Sequence, residues 1–240
     1  MGDFGNAVGL ALAPMLRGDP DLYAIVRLSL WVSLSAVAIA LLAGLPAGAA
    51  LAVYRFPARR AVVILANSML GLPPVVVGLA GYLLLSRSGP LGRFGLLYTP
   101  GAMVAVQTVL TLPIVVALVH RAAQEQWARH GDALQVAGAT RLKILPHLLL
   151  IARRPVLTAL LAALGRAISE VGTIIIVGGN IAGVTRTMTT TIVLETSKGN
   201  LPLAQALGFM LITLSVALSG VAFAIADRKD SRWLDFCSPS

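Results

Sequence analysis

The sequence predicts an all-α polytopic membrane protein of about five transmembrane helices, and three observations carry that prediction. Hydrophobic residues make up 57% of the 240 residues and charged residues only 12%. With a mean hydropathy of +0.85, this is a composition that water-soluble domains do not reach. Five apolar runs, at 25–53, 61–85, 102–119, 156–177 and 203–226, are long enough as helices to cross about 30 Å of hydrocarbon. None alternates with period two, which argues against a membrane barrel. The basic residues are also unevenly divided between alternate connections. With the N-terminus outside, the inner segments hold twelve of the nineteen: Arg55, Arg59, Arg60, Arg121, Arg129, Arg141, Lys143, Arg153, Arg154, Arg228, Lys229 and Arg232. The outer segments hold five: Arg17, Arg87, Arg93, Arg186 and Lys198. The positive-inside rule then sets the N-terminus outside and the C-terminus inside. Topology accounts for the net charge of +9 without a nucleic-acid partner.

Each element follows in order. Residues 1–20 have neither a basic n-region nor an apolar core, so the first run, 25–53, reads as the insertion signal. Gly44-Leu45-Pro46 is expected to interrupt it, Gly71-Leu72-Pro73-Pro74 to break the second run, and Pro113 to kink the third. Breaks at membrane depth are tolerated where the freed carbonyls line a cavity or meet neighbouring helices, and either use fits. The inner segment 121–154 alternates helix formers with Gly131 and Gly138. It predicts two or three short helices on the membrane face, held by a protein partner or by lipid headgroups.

The fourth run, 156–177, is the most informative because it carries Arg166 and Glu170 at its middle. Each charge costs about 2.5–3.5 kcal/mol at the bilayer centre on insertion scales. Its eleven Leu, Ile and Val residues return about 0.3–0.6 kcal/mol each. The helix is marginal alone, so the pair is expected to hide against other helices or a watery path. At i,i+4 spacing the two side chains share one face and can pair. The first reading is a helix-locking ion pair, and the second is ligand contact.

The outer stretch 178–200 holds Asn180, Arg186, Thr187, Thr189, Thr190, Thr191, Glu195 and Lys198. Hydroxyls, an amide and a guanidinium suit a passing oxyanion, and a short interfacial helix without ligand contact fits equally. The fifth run, 203–226, leads into an inner tail with Cys237, the single cysteine.

A Gly-Lys-Ser/Thr loop for nucleotide phosphates is absent from the sequence. His120, His130 and His147 lack the partners of a metal site, and no catalytic constellation can be assembled. Without a duplicated half, a self-contained carrier is less economical than a half-pathway completed by a second copy.

Two patterns carry a family resemblance. Asp132-Ala133-Leu134, three residues, then Gly138-Ala139-Thr140 resembles the Glu-Ala-Ala-x-x-x-Gly loop of ABC-importer permeases. Asp132 and Leu134 replace its Glu and second Ala, and its later proline falls on Ile151. Gly165-Arg166-Ala167-Ile168-Ser169-Glu170-Val171-Gly172 with Gly178-Gly179-Asn180 resembles the sulfate, molybdate and tungstate permeases. The continuation through Gly199 is similar to the tungstate subfamily in particular. The resemblance implies one permease domain over 1–240, in a type I ABC importer bundle in the cytoplasmic membrane of a bacterium or archaeon. It implies a second copy, cytoplasmic ATPase subunits that bind the ATP and Mg, and an extracytoplasmic oxyanion-binding protein, with no cofactor in this chain. Asp132, Ala133, Leu134, Ala137, Gly138, Ala139 and Thr140 would couple to the ATPase, the glycine permitting close backbone approach at the turn. Arg166, Glu170 and Asn180 would lie at the pathway. Arg186 and the threonines at 187–191 would form an outer gate or a binding-protein contact. Molybdate or sulfate is the alternative cargo, and an ATP-independent channel or carrier the alternative class.

Overall fold

A computed structural model describes residues 20–136 and 138–236, with side chains as far as 224. Every regular element among them is helical. They are α1 (Pro20–Val53), α2 (Arg59–Ser68), α3 (Pro74–Leu85), α4 (Pro100–Val136), α5 (Arg141–Ile151), α6 (Arg153–Ile168), α7 (Gly172–Gly178), α8 (Met188–Ser197) and α9 (Leu201–Phe236). Three helices are long and apolar enough to cross a membrane, and there are five candidate spans if each sharply bent pair counts as one. The all-α membrane bundle expected from composition is what the chain forms.

The long pair α1 and α4 is its spine. Between lipid-exposed helices the hydrophobic effect gives no attraction, so close packing of small residues does the work. On α1, Ala36, Ala40, Gly44, Gly48 and Ala52 recur every fourth residue and are all buried. A Cβ at Gly44 would lie 2.7 Å from Val115 Cγ1, and one at Gly48 2.9 Å from Val119 Cβ. The stripe is therefore an i,i+4 seam against α4. It explains the first correction: α1 runs unbroken through Gly44-Leu45-Pro46, with the glycines serving contact rather than interruption. Pro113 likewise stays buried inside the unbroken α4. A proline removes one backbone bond, and here a packed neighbour helix holds the geometry.

The second run is sharply divided. Leu72 and Pro73 are extended, at ψ 126° and 121°, and Pro74 starts α3 at its first position, where no amide is required. The pieces before and after this break meet at 104°, so 61–85 is a bent pair with Gly71, Pro73 and Pro74 at the corner.

The inner segment departs most from expectation. Gly131 is no breaker; it is buried inside α4, which continues to Val136. Two short surface helices collapse into the end of one long helix, a turn and α5. At Ala152 the chain bends by 76° into α6. The run 156–177 is also divided, since α6 stops at Ile168 and α7 begins at Gly172. Val37, Ala40, Val115, Val119, Ala159, Ala163, Leu164 and Ala167 form the central core between α1, α4 and α6. The last helix, α9, rests on α6 and α8 and leaves Phe209, Ile212, Val216, Val221 and Phe223 exposed. That is a surface for lipid or another chain and not for water.

Candidate functional site

Arg166 and Glu170 do not sit within one helix. Arg166 is in the last turn of α6, and Glu170 is in the three-residue break before α7. A break at this depth frees backbone groups that must be satisfied internally, and three other helices supply partners. The carbonyl of Ala167 accepts from Ser33 Oγ of α1 at 3.2 Å and from Gln107 Nε2 of α4. The carbonyl of Glu170 accepts from Thr189 Oγ1 of α8 at 3.0 Å. Glu170 Oε1 accepts the Thr173 amide at 3.1 Å, capping α7. Thr173 Oγ1 donates to the Pro74 carbonyl at 2.8 Å, tying α7 to the start of α3.

The other carboxylate oxygen, Oε2, lies 3.6 Å from an Arg166 guanidinium nitrogen, with 37% of the Arg166 side chain exposed against 5% for Glu170. The expected pair exists, but it is loose and one-sided. Glu170 serves mainly as the cap. Arg166 is half-buried, with donors to spare beyond this one contact, so this chain alone does not fully cover it. Asn180 is elsewhere, beyond the seven residues of α7, about 10 Å along the axis. With Gly179 it forms a left-handed turn at φ 72° and 51°.

The inner turn is sharply defined. Gly138 sits at φ +75° with nothing within 4 Å of a Cβ there. Within this chain, left-handed backbone is the reason for glycine. Its amide donates to the Gln135 carbonyl at 2.9 Å and that of Ala139 to the Leu134 carbonyl at 3.2 Å, the two bonds of a Schellman motif. Leu134 and Ala139 supply its apolar clasp, packing with Trp127 on Val53, Ile144 and Leu148. The turn is thus fixed at once to α4, α5 and the C-terminal end of α1. Asp132, Ala133 and Thr140 are exposed, Val136 is 89% exposed and Leu142 71%, while Ala137 lies outside the described residues.

The outer threonines are a correction. Thr187, Thr189, Thr190 and Thr191 are all buried, and their hydroxyls are used internally. Thr187 and Thr190 form a capping box at the start of α8. Thr191 Oγ1 donates to the Thr187 carbonyl at 2.6 Å, and Thr189 serves the α6–α7 break. Their hydroxyls are spent inside this chain and are not presented at its surface. Arg186 is half-buried, with its Nε buried and unpartnered among the described residues. Glu195 at the end of α8 bonds Lys198 Nζ and Asn200 Nδ2, each at 2.9 Å, which holds its carboxyl below the ordinary range. Ser33, Gln107 and Thr173 are site residues that sequence reasoning missed. Gln107, a lone amide in an apolar run, was the available signal.

This arrangement defines a multi-pass membrane protein with its polar interior gathered at one broken helix and an exposed, rigid turn at the end of its longest one. Residues 40–234 match the family described as binding-protein-dependent transport system inner membrane component. The chain is 43% identical over 216 residues to a probable anion ABC transporter permease protein of Haloferax volcanii, covering 88% of this chain and 93% of that protein. It is 34% identical over 218 residues to the tungstate uptake system permease protein TupB of Peptoclostridium acidaminophilum, covering 91% and 96%. It is 37% identical over 166 residues to TupB of Campylobacter jejuni, covering 69% and 70%. Sulfate and molybdenum permeases are more distant, at 27–29%. The chain belongs to the binding-protein-dependent transport system inner membrane components and is an ABC transporter permease. Membership implies an ATPase partner and a substrate-binding protein, and it places the chain in an inner membrane as a multi-pass protein.

Proposed function

We propose that the chain is the permease subunit of an ATP-driven oxyanion importer, with tungstate as the cargo. The relatives named for tungstate uptake, at 34% and 37% identity, carry the choice of ion. In this reading 1–240 is one permease domain with its N-terminus outside and C-terminus inside. Two copies form the pathway, an outer binding protein delivers the ion, and cytoplasmic ATPase subunits bind the ATP and Mg. This chain contributes shape change and no catalysis.

The turn at 132–140 is the element the ATPase engages. Its exposed Asp132, Ala133 and Val136, with Leu142 at the start of α5, are the contact surface. Its clasp on α1, α4 and α5 passes movement into the bundle as a rigid-body switch. In the pathway, the half-buried Arg166, with a single acceptor at 3.6 Å, has guanidinium donors left for a tetrahedral dianion. Glu170 keeps α7 in place beneath it. Molybdate or sulfate is the alternative cargo, supported by the more distant relatives.

The test is reconstitution with the cognate ATPase and binding protein in liposomes. Tungstate is expected to accumulate only with ATP, and Arg166→Ala to reduce accumulation while insertion persists. Accumulation by this chain without the ATPase would overturn the reading.

A further inference from the structure

A cavity of about 370 Å³ lies between the first turns of α1 and the loop ahead of α8, and the mechanism above does not use it. Its lining includes Asp21, Arg27, Leu28 and Trp31 from α1, and Val184 and Arg186 from the loop. The two guanidiniums share this space with the Asp21 carboxylate, and the charge of Glu195 also reaches Arg186. Carboxylates thus offset part of the positive charge, and the guanidinium donors left over are what an anion would engage.

Both arginines are carried on fixed backbone. The Arg186 amide donates to the Ile181 carbonyl at 3.0 Å. On one side of it, Thr185 Oγ1 donates to the Gly178 carbonyl at 2.5 Å and accepts the Ile181 amide at 3.0 Å. On the other side, Thr187 caps α8. The loop is tied to α1 by the Met188 amide on Ser29 Oγ at 2.8 Å, two residues from Arg27. Preorganised donors on rigid elements are what an anion site requires. The unpartnered, buried Nε of Arg186 is an unmet donor of the kind that calls for an explanation.

We propose that this cavity binds a tetrahedral oxyanion group between Arg27 and Arg186, either the phosphate of an anionic phospholipid headgroup or a free oxyanion. The apolar walls, with Trp31 53% and Tyr23 59% exposed on the same part of α1, match the interfacial zone where headgroups lie. Bidentate guanidinium–phosphate pairing supplies the recognition. The site stands on these residues alone and not on which ion the transporter carries.

Two arms separate the sources, both on the full-length chain. In nanodiscs of phosphatidylcholine alone, equilibrium dialysis measures bound tungstate. In detergent, native mass spectrometry measures retained phosphatidylglycerol. At least one of the two is expected to bind, with Arg27→Gln and Arg186→Gln each weakening it tenfold or more and Arg87→Gln leaving it unchanged. A chain with Trp127 and Trp233 replaced by Phe reports the cavity through Trp31 without touching either arginine. Its fluorescence is expected to change saturably with the same probe. Binding in neither arm, binding indifferent to both arginines, or a silent Trp31 would each overturn the proposal. ATP-driven uptake is read separately, so failure of the cargo assignment leaves this result interpretable.

Discussion

Replacing Glu170 by glutamine and by alanine separates the cap of α7 from the ion pair. Glutamine keeps an Oε1 acceptor for the Thr173 amide, now 3.1 Å away, and removes the charge. The charge faces Arg166 at 3.6 Å with the guanidinium more than a third exposed, and such a pair contributes at most about 1 kcal/mol. Alanine removes the acceptor and leaves the amide of the buried Thr173 unsatisfied, which costs about 1–3 kcal/mol. That corresponds to a shift of about 5- to 150-fold in the unfolding equilibrium. The assay is dodecyl-sulfate unfolding of the purified full-length chain in mixed micelles, followed by far-UV circular dichroism. Glu170→Gln and Arg166→Gln are expected within about 1 kcal/mol of the parent, with Glu170→Ala clearly below all three. If glutamine proved as damaging as alanine, or Arg166→Gln as damaging as Glu170→Ala, the charge and not the cap would hold the break together.

At the inner turn, Gly138→Asn should leave ATP-driven uptake near normal, while Gly138→Val should uncouple it with insertion intact. The left-handed conformation costs an ordinary L-residue about 1–2 kcal/mol, and Asn adopts it more readily. Equal effects of Asn and Val would refute a backbone role. Gly48→Leu should destabilise the α1–α4 seam by about 1–3 kcal/mol through overpacking, read in the same unfolding assay; a neutral result would remove the seam. Glu195 has a depressed folded-state pKa, so its stabilisation is full above the ordinary carboxylate value of 4.5 and fades as pH falls below it. Amide protection factors at the α8–α9 corner, taken relative to the intrinsic exchange rate at each pH, should therefore fall on acidification, and Glu195→Gln should abolish that dependence. Cysteine labelling should find position 186 reachable from outside and 141 from inside, and the reverse would invert the proposed topology.

Composition and run length were enough to give the class of fold, because membrane insertion is an averaged property of about twenty residues. Where helices break was less legible. Pro73 and Pro74 do break the chain, whereas Pro46 and Pro113 do not. The difference lies in the neighbour helix, which the local sequence does not display. The spacing of Ala36, Ala40, Gly44, Gly48 and Ala52 was visible and would have identified the seam. The Arg166/Glu170 spacing indicated a pair, but not that a helix ends between them. Ser169 contributes to that ending by turning its hydroxyl onto the Gly165 carbonyl at 2.8 Å. The threonines at 187–191 misled because hydroxyl-rich sequence reads alike whether its donors face a solute or cap a helix. The capping box of Thr187 and Thr190 is local, but the burial of these threonines comes with ties to Ser29 and Glu170 elsewhere in the sequence.

The uninterrupted course of α4 gives the molecule mechanical advantage. Its 37 residues make a rod of about 55 Å, well beyond the ~30 Å hydrocarbon layer. A tilt of about 10° about the Val136 end would sweep the opposite tip sideways by about 10 Å, on the scale needed to part or close the proposed pair of subunits. Because α1 is meshed with it tooth by tooth, the pair would swing as one boom, and a small rotation at the Val136 end would become a large displacement at the other.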